Sequence, residues 1–288
     1  HLRALRIRCG ESFTVCDGAG KDFTCRLTKL TNDCAEAEIV DVSPSKGEPS
    51  VFCAVYIAYA KGDRLETAVQ KAVELGAHMI EFDLRLSADG VPVLLHDATI
   101  DRTSDGCGRP EEYSLAALRE FNFAASRKNG EFVPIPTFED ILRLFRGRAC
   151  MNIQIYVGDG EGIDTVCALY RDYDMYDYGY LTIADWEIGK RVRHIDSCIE
   201  ICMTPGWDTR SNPESLRHCR EFGCRFVQPV REFSSAETFS LCRELGLREN
   251  VFFADDPAVI RQLVALGARG VMTNRPENFA GSPRETLI

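Results

Sequence analysis

The chain has 288 residues, enough for one large domain or for a small domain ahead of a barrel-sized one. Its 45% hydrophobic and 27% charged residues are ordinary for a globular protein, and no apolar run approaches the ~20 residues that span a bilayer. The net charge is −10; residues 1–77 hold 10 basic and 11 acidic residues and the rest holds 24 and 33, so the second part does not advertise nucleic-acid binding.

Residues 1 to about 48 read as short strands. Glu11 to Cys16, Asp22 to Leu30 and Ala35 to Val42 are separated by the turn signals 17–20 and 32–33. This pattern predicts a small β barrel or sandwich. Arg3, Arg6 and Arg8 at its entrance fit a charged strand edge or a face that touches RNA. The near-balanced charge allows only weak RNA binding there. Residues 43–50, Ser-Pro-Ser-Lys-Gly-Glu-Pro-Ser, form the clearest linker in the chain.

Val51 to Ala60 is almost wholly apolar, as a buried strand is. After the turn Lys61-Gly62-Asp63, apolar residues at helical spacing run from Leu65 to Leu75 and stop at Gly76. Met79 to Leu86 then alternates apolar and polar residues. Glu81 and Asp83 are two apart on that strand, so both carboxylates point to one side. Such a pair repels unless a cation sits between them, and oxygen ligands suit Mg²⁺ or Ca²⁺. Ser87-Ala88-Asp89-Gly90 is turn chemistry, and the run Val91 to Leu95 delivers His96 and Asp97 at its end. An imidazole there is a natural proton carrier near neutral pH.

Strands and helices alternate from that point. The candidate strands are Met79–Leu86, Ala149–Val157, Tyr180–Ala184, Ile199–Met203, Arg225–Pro229, Val251–Ala254 and Gly270–Thr273. The candidate helices are Ser114–Phe121, Phe138–Phe145, Asp164–Tyr173, Asp185–Arg193, Pro213–Glu221, Ser235–Leu245 and Asp256–Leu266. With Val51–Ala60 as an eighth strand, the expected fold is an α/β (β/α)8 TIM barrel behind a small all-β domain. Thirteen cysteines without a C-x-x-C spacing read as reduced, mostly buried thiols of a cytoplasmic protein.

Residues 81–108 together, E-F-D-L-R-L-S-A-D-G-V-P-V-L-L-H-D-A-T-I-D-R-T-S-D-G-C-G, resemble the glycerophosphodiester phosphodiesterase family. The likeness continues at 251–261 and 267–277 and covers about residues 78–280. It implies a TIM barrel that hydrolyses glycerophosphodiesters to an alcohol and glycerol phosphate. It also implies a divalent cation held by Glu81, Asp83 and a residue on the next strand, with two His as acid and base. Here the next strand carries Gln154 where the family has Glu, and Tyr156 where it often has Lys. His96 matches one His. The other, in an H-R motif ending the first strand, has no counterpart, since that strand ends in Tyr59-Ala60-Lys61-Gly62. Lys61 is a turn residue or a crude stand-in for the Arg. Arg102 holds a phosphate or caps its own loop, Trp207 lines the substrate pocket or covers the barrel rim, and residues 274–276 bind phosphate or end the last strand. Impaired turnover of a small phosphodiester is the expectation.

Residues 1 to about 77 resemble a different family, through H-L-R-A-L-R-I-R-C-G-E, V-C-D-G-A-G and A-Y-A-K-G-D-R-L-E-T-A-V-Q-K-A-V-E-L-G-A. These look like the start of RsmE-type ribosomal RNA uridine methyltransferases, which implies a PUA-like β domain over 1–48. The cofactor-binding knot of that family has no counterpart here. The chain thus reads as a hybrid: a phosphodiesterase barrel over 51–288 whose first βα unit, 51–77, has methyltransferase origin. The rival reading is an rRNA-binding or methyltransferase-derived chimera without activity.

Overall fold

The computed structural model describes residues 7–16, 21–30, 35–44, 52–56, 69–72, 74–75, 77–124, 132–157 and 160–278. The chain divides into two compact units, residues 1–50 and 51–287. Lys61 lies outside the described residues, as does most of the helix expected over 64–75, of which 69–72 is helical.

The first unit contains an antiparallel sheet in the order β1 (Ser12–Cys16), β2 (Lys21–Leu30), β3 (Ala35–Pro44). Irregularities between Thr24 and Cys25 and between Leu27 and Lys29 bend the β2–β3 ladder. Cys25 and Leu27 are buried, whereas Ile39, Val40 and Val42 of β3 are exposed. Arg26 stands opposite Glu38, and Lys29 Nζ lies 2.8 Å from Glu36 Oε1. Arg26 and Lys29 of β2 therefore face acids across the ladder, while Lys21 is in register with Pro44.

In the second unit, eight strands run parallel in the order β11 (Arg248–Glu249), β10 (Phe226–Val227), β9 (Ile201–Met203), β8 (Gly179–Ile183), β7 (Cys150–Ile155), β5 (Met79–Leu86), β4 (Phe52–Tyr56), β12 (Gly270–Thr273). A parallel bridge between Val251 and Val271 joins the two ends, with Val251 N donating to Gly270 O at 2.8 Å and Met272 N to Val251 O at 2.9 Å. The sheet is thus a closed barrel. β4 lies between β12 and β5, with Tyr56 in register with Glu81.

Alternation decides what each strand gives to each layer. Ile80, Phe82 and Leu84 of β5 face outward into the main core with Phe138, Ile141, Leu142 and Phe145. Met79 faces inward with Tyr180, Cys202 and Met272, and Phe226 packs against this cluster with its ring stacked on that of Tyr180 at 4.4 Å. Glu81 and Asp83 share the parity of Met79, so they continue this inner face upward.

Sequence-encoded caps start the outer helices. Thr137 and Asp140 form a capping box ahead of Phe138–Phe145, and Asp185, Ser235 and Asp256 accept from the first-turn amides of Trp186–Ile195, Ala236–Glu244 and Pro257–Ala265. Phe138 is fully buried, with its ring 6.1 Å from that of Phe82. Phe138→Ala is expected to lower unfolding free energy by about 3–5 kcal/mol, read from denaturant melts; a loss below about 1 kcal/mol would show that this layer is not tightly packed.

Several elements differ in extent from expectation: the helix expected at Ser114–Phe121 is only Leu115–Leu118, and the strand expected at Arg225–Pro229 is Phe226–Val227. In place of the strand expected at Val251–Ala254, β11 pairs at Arg248–Glu249 and Val251 and Phe252 form only single bridges, because Gly246 (φ +67°) ends the preceding helix and Arg248 N donates to Arg225 O at 2.7 Å. The Asp164–Tyr173 helix begins at Gly160. Cys25, Cys167, Cys202, Cys219, Cys224 and Cys242 are buried thiols, and burial pushes Cys167 and Cys242 up to about 12. No helix among the described residues is long and apolar enough to cross a membrane.

Candidate active site

The site is assembled at the C-terminal end of β5. Glu81 and Asp83 are 1% and 5% exposed. Glu81 Oε2 is buried with no hydrogen-bond partner. Burial, and then the neighbouring Asp83 charge, raises the Glu81 carboxyl well above its ordinary range. A buried carboxylate pair with an unsatisfied oxygen fits a cation between them.

β7 supplies the next wall. Its register sets Asn152 beside Glu81 and Gln154 beside Asp83. Asn152 Oδ1 accepts from the Thr182 hydroxyl, while its Nδ2 is buried without a partner. Gln154 Nε2 donates to the Tyr156 hydroxyl at 2.7 Å, which turns the amide oxygen away from that bond. Burial, Asp83 and Glu81 together push the Tyr156 phenol up to about 12, so it stays neutral through the working pH range. Among the described residues no group of three or more His, Cys, Asp or Glu could hold a metal. The β7 residues in register with Glu81 and Asp83, Asn152 and Gln154, are both uncharged amides.

The turn after β5 brings the imidazole back. Gly90 adopts φ +74°, Ser87 Oγ lies 2.6 Å from Asp89 Oδ1, and β6 (Pro92–Leu94) returns antiparallel to β5. Leu95 N donates to Asp83 O at 3.1 Å. His96 therefore follows directly on a residue pinned to the acid-bearing strand. Arg85 donates from Nε and Nη2 to His96 O, and its guanidinium lies 4.9 Å above the Tyr156 ring. The His96 ring meets Tyr156 edge-on at 6.0 Å.

His96 Nδ1 lies 2.9 Å from Asp97 Oδ1. The Nε–Nη2 edge of Arg102 forks both oxygens of Asp97 and holds its carboxyl down at about 2, against an ordinary 3.8. Arg102 thus braces the loop that orients His96. A carbon-detected NMR titration of Asp97 should show a midpoint near 2 in the wild type, moving toward 3.8 in Arg102→Ala. An unmoved midpoint would assign the shift to something other than the fork. The sign is that of a depressed acid: its contribution to stability is complete above about pH 4 and disappears as pH falls through about 2.

Trp207, 54% exposed, stands on the loop after β9, edge-on to Phe252 at 5.4 Å. Arg210 of the same loop lies 4.8 Å over the Trp207 ring and 5.4 Å from that of Phe252. Sequence reasoning missed Arg210; a cation three residues after an aromatic in a post-strand loop was the available signal. Residues 274–276 end the last strand: Asp255 accepts from Asn274 N at 2.7 Å and from Thr273 Oγ1 at 2.9 Å. His194 is exposed, and His218 stacks on Trp186 at 4.0 Å.

The model of the glycerophosphoryl diester phosphodiesterase family matches residues 66–278. The chain belongs to this family. A glycerophosphodiester phosphodiesterase of Caldanaerobacter subterraneus subsp. tengcongensis is 36% identical over 236 residues, covering 76% of this chain and 90% of that protein. The bovine glycerophosphodiester phosphodiesterase 1 is 41% identical over 76 residues, 25% of this chain. That match spans only 23% of the bovine protein. Among solved structures, a glycerophosphodiester phosphodiesterase of Agrobacterium tumefaciens superposes with TM-score 0.68 at 23% identity, over 80% of this chain and 99% of that one. A phosphodiesterase of Oleispira antarctica, in complex with the product sn-glycerol-3-phosphate, superposes with TM-score 0.70 at 16% identity, over 79% and 94%. These structural likenesses establish the shared TIM-barrel fold of the phosphodiesterase family. The family match begins at residue 66, ahead of the acid-bearing strand β5.

Proposed function

We propose that this chain hydrolyses glycerophosphodiesters to an alcohol and glycerol phosphate, at a rate held down by its incomplete site. The observation that carries the reading is the buried Glu81–Asp83 pair, with Glu81 Oε2 unsatisfied, beside the His96 loop. Glu81, Asp83 and the amide oxygen of Gln154 would hold a divalent cation, Mg²⁺ or Ca²⁺. Such an ion, when bound, polarises a phosphodiester and offsets the charge developing on its oxygens. Asp97 occupies His96 Nδ1, so Nε2 is the atom assigned to carry the proton. Tyr156 is a neutral donor at the rim, and Trp207 is an apolar wall for the substrate. Turnover is weak because one imidazole serves where the family uses two, and because Gln154 brings no charge.

The test is release of choline and glycerol phosphate from glycerophosphocholine by the purified chain with Mg²⁺ or Ca²⁺. Slow, metal-dependent release is expected. Rates near those of an intact family member would overturn the impairment, and release that EDTA does not abolish would overturn the metal site.

We further propose that residues 1–48 form a PUA-like domain and that 51–77, of methyltransferase origin, supply the first βα unit of the barrel. The three-stranded antiparallel sheet and the position of β4 between β5 and β12 support this reading. No S-adenosylmethionine binding is expected, and the acid-matched bases of β2 give no reason to extend the proposal to RNA. The scattered, largely buried thiols support assignment to the cytoplasm.

A further inference from the structure

We propose that Arg210 is a substrate-binding residue of the barrel mouth, a planar clamp for two oxygens of a phosphate group. Its Nε and Nη2 are buried and have no hydrogen-bond partner. Among the described residues, no other cationic side chain leaves buried donors unpaired. Unpaired buried donors are costly, and more so on a charged group, so a native site that keeps them has an acceptor to receive. Burial accordingly pushes the Arg210 guanidinium below its ordinary range, while an arginine remains charged.

The orientation is built in. Trp207 and Phe252 stand at 84° to each other, and the guanidinium lies within 4.8 and 5.4 Å of their two rings. The adjacent residue, Ser211, is buried and ties the loop to the neighbouring strand end, accepting from Val230 N at 2.9 Å. Thr209 O accepts from Asn212 N at 2.8 Å. The clamp is therefore carried on a fixed loop rather than a free one.

The geometry also names the ligand class. Nε and Nη2 form one edge of the guanidinium, the same edge that Arg102 lays against both oxygens of Asp97. Among the described residues, that edge of Arg210 meets no carboxylate and makes no ion pair. Two parallel N–H groups match two oxygens of a carboxylate or phosphate. The loop that carries Arg210 leaves the C-terminal end of β9, and the parallel pairings from β9 through β8 and β7 to β5 put that end on the same rim of the barrel as Asp83. Phosphate follows from the hydrolase reading above, on which this choice of anion rests.

The experiment is calorimetric titration of the full chain with inorganic phosphate, sn-glycerol 3-phosphate and glycerophosphocholine, with Mg²⁺ and again with EDTA. Arg210→Gln should weaken sn-glycerol 3-phosphate about 10–100-fold. Arg210→Lys, which keeps the charge but not the fork, should recover only part of that loss. Arg217→Gln, on the exposed side of the next helix, should bind as the wild type does. Binding should also change Trp207 emission in a Trp186→Phe background and leave it unchanged after Arg210→Gln. A phosphate ester that binds wild type and Arg210→Gln equally overturns the clamp, as does a wild type that binds none of the three in either buffer. Binding that depends on Arg210 without any hydrolysis sinks the hydrolase reading and leaves the clamp standing. Hydrolysis with an unchanged KM in Arg210→Gln does the reverse.

Discussion

Gln154→Glu is expected to tighten Mg²⁺ or Ca²⁺ binding at least about tenfold. Gln154 is in register with Asp83 on the adjacent strand and is half-buried, so a carboxylate there joins Glu81 and Asp83 on one inner face. The Tyr156 hydroxyl, which now receives the Gln154 amide, is able to donate to a carboxylate instead. Crowding a third acid into the mouth has a cost when no cation is present. The variant should therefore melt lower than wild type in EDTA and gain more on adding the ion, since a ligand at 100 times its Kd stabilises by about 2.7 kcal/mol. Glu81→Gln should remove most of the metal-induced rise. Equal affinities for wild type and Gln154→Glu would mean that β7 contributes no ligand.

His96→Gln is expected to lower hydrolysis by about 10²–10⁴-fold, the usual cost of removing a general acid or base. The effect should be read in kcat within the Gln154→Glu background, where a stronger metal site raises the signal. The metal-dependent melting rise should persist, because His96 sits on the return loop and not on the acid-bearing strand. Asp97→Asn should cost less than His96→Gln, since it removes only the group that orients Nδ1. Unchanged kcat in His96→Gln would end its role as proton carrier.

Much of this site was legible in one stretch. The alternation of Met79 to Leu86 gave Glu81 and Asp83 a common face, and Ser87 to Gly90 announced the turn that returns His96 to them. Caps at Thr137, Asp185, Ser235 and Asp256 marked where helices start, because each uses a side chain to satisfy nearby amides. Arg102 was legible only as an alternative between phosphate and loop. Its partner, Asp97, is five residues away, but nothing in the spacing says that the guanidinium turns back rather than outward. The last but one strand was displaced because its pairing is set by Arg225 and Gly270, far along the chain, and not by its own apolar run.

The amino-acid order alone determined the strand-turn-strand unit, its two acids and its imidazole, since alternation, turn chemistry and capping act within a few residues. Only the closed barrel decided that Gln154 meets Asp83, that Val251 bridges Val271, and that Arg210 is held between Trp207 and Phe252 with its donor edge unpaired. Those neighbours are separated by up to dozens of residues, and their proximity comes from parallel register and burial, which no local pattern carries.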